Sequence, residues 1–111
     1  MTKILSKDQK KFFKDNGFLF PIKIMSEEKA SSYRKNLEKY EKSKGGVISG
    51  YDRHKAHLLF KWVNEIVNNK TILDSIEDVL GPNILCWSSN FFIKEANENT
   101  FVSWHQDSVY W

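Results

Sequence analysis

The run Ile84-Leu85-Cys86-Trp87-Ser88-Ser89-Asn90-Phe91-Phe92-Ile93-Lys94 is longer than an average strand and rich in aromatic and β-branched residues. That composition suits a pleated, half-buried surface, so the run reads as a β-strand. With a period of two, Ser88, Asn90, Phe92 and Lys94 fall on one face. Small polar groups on a strand otherwise this apolar fit the wall of a ligand cavity. A partly exposed strand with a wet polar face fits the same pattern.

Downstream, Ala96-Asn97-Glu98-Asn99-Thr100 is a polar connection into a second strand-like run, Phe101-Val102-Ser103-Trp104-His105-Gln106-Asp107-Ser108-Val109-Tyr110-Trp111. His105 and Asp107 stand two residues apart, so an extended backbone presents both side chains together. An imidazole and a carboxylate so placed are two members of the facial triad that holds non-haem Fe(II). On the tripeptide alone, a histidine and an aspartate that bond each other or water are the commoner outcome.

Upstream, the pattern is helical. Ser6 with Gln9 is a capping box, and Gly17 is a C-terminal stop, with Phe12 and Phe13 as the buried face between them. Residues 18–22 read as a short strand in which Pro21 marks an edge or an end. Ser26 followed by Glu27 and Glu28 starts a second helix, with Ala30, Tyr33, Leu37 and Tyr40 as its apolar stripe and Gly45-Gly46 as its end. Residues 47–57 read as a loop. It carries His54 and His57, three apart, but no third ligand accompanies them and a metal is not expected there. Residues 58–67 form a third helix burying Leu59, Trp62, Val63 and Ile66. Thr71 caps a fourth over 72–80, with Ile72, Leu73, Ile76, Val79 and Leu80 inward and Gly81-Pro82 as the stop. Helices first and strands last indicate an α+β layout.

Composition narrows the classes. At 111 residues, 41% hydrophobic and 14% aromatic, the chain has the makings of one globular domain or part of one rather than a disordered segment. The 17 basic and 14 acidic residues are well mixed. Lys7, Lys10, Lys11 and Lys14 read as a solvated helix face rather than a nucleic-acid patch. No stretch has the length and apolarity of a membrane span, and the first residues lack a secretory pattern. Cys86 is the single cysteine, so an internal disulfide and a cysteine-based zinc site are excluded. A cytoplasmic protein is expected.

Read together, residues 72–84 with Gly81-Pro82, then Phe92-Ile93-Lys94-Glu95, then Trp104-His105-Gln106-Asp107, resemble the phytanoyl-CoA dioxygenase family. The likeness extends from about Lys7 to Trp111. It implies an Fe(II)- and 2-oxoglutarate-dependent oxygenase that consumes O2 and is built on a double-stranded β-helix, or jelly roll. In that case the chain is the N-terminal part of one such domain, a helical layer over 1–81 leading into the first core strands over 82–111. The family's distal histidine and its 2-oxoglutarate-binding arginine would then lie outside this sequence. The resemblance further implies that His105 and Asp107 are iron ligands. It places Gln106 against the cosubstrate, Asn90 and Ser88 on the strand facing 2-oxoglutarate, and Lys94 at that strand's end. Asp107, where halogenating relatives have a small residue, points to hydroxylation of a C–H bond in a small organic or acyl substrate. A non-catalytic binding domain that keeps the front of the fold is the alternative. The sequence specifies neither the substrate nor the oligomeric state.

Overall fold

Serine, asparagine and glycine place the helix boundaries. In the computed structural model, which describes residues 3–109, α1 spans Lys7–Asn16. The Ser6 hydroxyl accepts from the Gln9 amide while the Gln9 side chain accepts from the Ser6 amide, the reciprocal pair expected from the sequence. Gly17 closes α1 at φ 80°, a left-handed conformation that costs glycine little. The longest helix, α2, spans Glu27–Lys44 between the Ser26 cap and Gly45. Tyr33 and Leu37 are its buried residues, Tyr40 is half-buried and Ala30 is exposed.

The expected third helix is two. Phe60 takes an extended conformation (φ −116°, ψ 117°) between α3, Ala56–Leu59, and α4, Lys61–Val67. The break leaves Leu59 exposed, buries Val63 and half-buries Trp62 and Ile66. The last helix, α5, spans Lys70–Leu80 and is capped by Asn69 rather than Thr71, the Asn69 side chain accepting from the amides of Thr71 and Ile72. A 3-10 turn, Gly50–Arg53, interrupts the expected loop.

Packing departs from the apolar stripes in two helices. In α1, Phe12 is exposed and Phe13 half-buried. In α5 the buried residues are Asp74, Ser75 and Asp78, while Ile72, Leu73, Ile76 and Val79 are half-buried and Leu80 is exposed. The N-terminal segment explains the inversion. The Asp78 carboxylate accepts the backbone N–H groups of Lys3, Ile4 and Leu5 at 2.7–3.0 Å, which seats Leu5 at 2% exposure. Those bonds, the Ile4 amide foremost and then Leu5 and Lys3, hold the Asp78 pKa down at about 2. Asp74 beside it pairs with Lys70 and with Lys3.

The largest correction concerns the strands. The described residues are helical wherever they are regular, and no β-strand, sheet or jelly roll is present among them. Residues 18–22, 84–94 and 101–105 are irregular, and Asp107–Val109 is a 3-10 turn. The assignment of 82–111 as first core strands of an α+β fold is therefore overturned for its described part; Tyr110 and Trp111 lie outside the described residues. A strand needs a neighbour to complete its hydrogen-bond ladder, and aromatic composition does not supply one. Among the described residues the segment 84–94 has two backbone bonds to the rest of the chain instead, Ala56 N–H to the Ser89 carbonyl and Phe91 N–H to the Arg53 carbonyl, each 2.9 Å. The radius of gyration, 16.4 Å, exceeds the roughly 13 Å of a compact domain of this length.

Candidate functional site

The two backbone bonds from Ser89 and Phe91 organise the site, because they hold residues 88–91 against the turn at 53–57. Lys55 lies between them at φ 48°, ψ 40°, a left-handed conformation that costs a residue with a β-carbon about 1–2 kcal/mol. The Asn90 side-chain oxygen accepts the Lys55 N–H at 3.2 Å and so helps hold it. Ser89 binds His57 twice: its Oγ accepts the His57 backbone N–H at 3.0 Å and lies 2.6 Å from Nδ1. Both contacts tie the Ser89 hydroxyl to His57, one to its backbone and one to its ring. Phe91 then packs on Trp62 (ring centroids 5.6 Å) and Phe60 (6.4 Å), carrying the segment onto the helices.

His105 and Asp107 meet at the other side of this arrangement. The His105 Nδ1 lies 2.8 Å from the Ser103 carbonyl, which can only accept, so Nδ1 carries a proton. That leaves Nε2 facing the Asp107 carboxylate at 3.1 Å. The Ser103 carbonyl, and next to it the Asp107 charge, raise the His105 pKa above the ordinary histidine value. An unprotonated Nε2 and a carboxylate so close repel unless a positive charge joins them. A proton satisfies that condition, and so does a metal ion. Two ligands at about 2.1 Å from one metal, in adjacent positions at right angles, lie about 3.0 Å apart, so the observed separation suits a shared divalent ion. The Nδ1–H to carbonyl bond is also the contact that fixes the tautomer of a metal-bound imidazole. The pair thus fits Fe(II) as two of its donors. Among the described residues no group of three histidine, cysteine or acidic side chains forms a complete set.

An open cleft of ≈ 850 Å³ brings the two segments together. Asn90, His105 and Asp107 line it, over walls formed by Phe91, Phe92 and Val102. Ser88, Lys94 and Gln106 do not line it. The Ser88 hydroxyl donates to the Asn90 side-chain oxygen at 3.1 Å, and so supports Asn90 from behind. Lys94 Nζ donates to the carbonyls of Glu95 and Glu98, closing the 94–98 turn. The Gln106 carbonyl accepts from Val109 in the final turn. Arg53 and His54, which sequence reasoning passed over as cleft residues, also line the cleft. Their only signal was position on a loop rich in polar residues, and the contact with residue 90 across 35 positions leaves no trace in spacing.

Among the described residues no helix is long and apolar enough to cross a membrane. No family model matches the chain, and neither a curated protein nor a solved structure does.

Proposed function

We propose that this chain carries two of the iron ligands of an Fe(II)- and 2-oxoglutarate-dependent dioxygenase that hydroxylates a small organic or acyl substrate. The observation that carries the reading is the His105–Asp107 pair, 3.1 Å apart with the imidazole tautomer already set, together with the Trp104-His105-Gln106-Asp107 motif. The third protein ligand and the cosubstrate's arginine belong outside the described residues in this reading.

Fe(II), held by His105 and Asp107 with a further ligand, would supply activation of O2 for the coupled decarboxylation of 2-oxoglutarate and hydroxylation of the substrate. The chain's own residues do the rest. Nε2 of His105 donates its lone pair, which requires the ring to be neutral, so protons compete with the metal. Asp107 supplies the anionic ligand. Asn90 presents its amide to the cleft, and Phe91, Phe92 and Val102 give the cleft an apolar wall. A cytoplasmic setting accompanies the proposal, since a lone thiol such as Cys86 and ferrous iron both suit a reducing compartment.

Succinate released from 2-oxoglutarate in the presence of Fe(II) and O2, compared between the protein and its Asp107→Ala variant, tests the proposal. Loss of Asp107-dependent succinate is the expected outcome. Equal and measurable turnover in the two proteins shows that Asp107 is not a ligand.

A further inference from the structure

The cleft holds one charged group that the metal reading does not use. Arg53 lines it, and among the described residues this guanidinium makes no ion pair. Its Nε lies 3.4 Å from the His54 Nε2, a long contact, and its terminal amino groups have no acceptor among the described residues. Asp107 lines the same cleft yet sits beyond ion-pairing distance of Arg53, and its charge is already faced by His105. The cleft therefore contains a local His–Asp pair, an uncompensated cation and apolar walls between polar groups. A planar guanidinium with free terminal N–H groups is the side chain best suited to a carboxylate, which it holds through two parallel hydrogen bonds. The turn that carries it is not free to drift, because the Arg53 carbonyl is bonded to Phe91 N–H and Lys55 is fastened to Asn90.

From this we infer that Arg53 is the carboxylate anchor of the cleft and that the molecule taken there is an organic acid. The inference rests on the reading of His105 and Asp107 as the reacting end. The carboxylate has two possible sources, an organic-acid substrate with an apolar body or the 2-oxoglutarate cosubstrate. The apolar walls formed by Phe91, Phe92 and Val102 favour the substrate.

The test is an NMR titration of the 111-residue chain with sodium hexanoate, hexanamide and 2-oxoglutarate, without metal, reading the Arg53 Nε–H and the Phe91 and Phe92 amides. Hexanoate should shift these signals and bind about tenfold or more tightly than the neutral hexanamide, the usual worth of a charge-assisted bond. Arg53→Gln should erase that preference and Arg53→Lys should keep part of it. Both variants leave the backbone bond to Phe91 in place. Tighter Arg53-dependent binding of hexanoate than of 2-oxoglutarate assigns the carboxylate to the substrate, and the reverse order assigns it to the cosubstrate. Equal binding of hexanoate and hexanamide, or an undiminished preference in Arg53→Gln, overturns the inference. A His105→Ala variant separates the two readings, because it removes a metal ligand and leaves Arg53 intact. If it abolishes no metal binding while the hexanoate preference stands, the metal reading alone fails.

Discussion

Residues 3–80 and residues 82–109 both carry large apolar side chains, but among the described residues the buried hydrophobic ones all lie in the first region. Leu5, Tyr33, Leu37, Ile48, Ala56 and Val63 are buried among helices whose ends are capped by Ser6, Ser26 and Asn69. In the second region Leu85 is 85% exposed, and Trp87, Phe92, Phe101 and Trp104 are exposed as well. Helices satisfy their own backbone, so they form wherever caps and propensity allow. An extended segment satisfies its backbone only through a neighbour, and among the described residues 84–94 bonds its backbone to the turn at 53–57 where the two cross. The site grows at that crossing.

The sharpest way to break the contrast is at Asp78, which joins the N-terminus to α5. Asp78→Ala removes the acceptor of three backbone N–H groups and should release Leu5. It should give the largest fall in thermal midpoint of any variant considered. Acid tests the same contact. The folded pKa is depressed from 3.8 to about 2, so the contribution is complete above about 4 and is lost as the pH falls through 2. Urea midpoints measured down this range should decline more steeply for the parent than for Asp78→Ala.

Next comes the helical core. Leu37→Ala, at a residue 8% exposed, should cost about 2–4 kcal/mol in urea unfolding, since a buried leucine leaves a cavity. Ser89→Ala should cost less, about 1–2 kcal/mol for the bonds lost to His57. Its clearer signature is faster hydrogen exchange at the Ala56 and Phe91 amides, with α2 unchanged. Smallest of all, Trp104→Ala should stay within about 0.5 kcal/mol of the parent, because the ring is fully exposed. A Trp104 effect as large as that of Leu37 would erase the distinction between the regions.

What the sequence could disclose follows the same division. Capping boxes and glycine stops are local, so Ser6-Gln9, Gly17, Ser26 and Gly45 marked their helices correctly. Phe60 was hidden because nothing in its neighbours demands an extended residue between α3 and α4. The burial of Asp74 and Asp78 had no local signal, because their partner, Lys3 to Leu5, lies more than 70 residues away in sequence. The strands failed for the reason already given: composition described a surface, and the partner was missing. At the site, His105 and Asp107 do come within 3.1 Å of each other, but with Asp107 in a 3-10 turn rather than on the expected strand. Arg53 and His54 were not legible in the sequence, since only folding brings that turn to Asn90.

Mn(II), a spectroscopic stand-in for Fe(II), offers the most direct test of the His105–Asp107 pair. Added in small amounts to the isotopically labelled chain, it broadens the NMR signals of the nuclei nearest to it. The account predicts that the His105 ring and the Ser103 and Asp107 signals broaden before those of His57, and that Asp107→Ala abolishes the effect. Broadening that spares His105, or that strikes His54, His57 and His105 alike with and without Asp107, would contradict it.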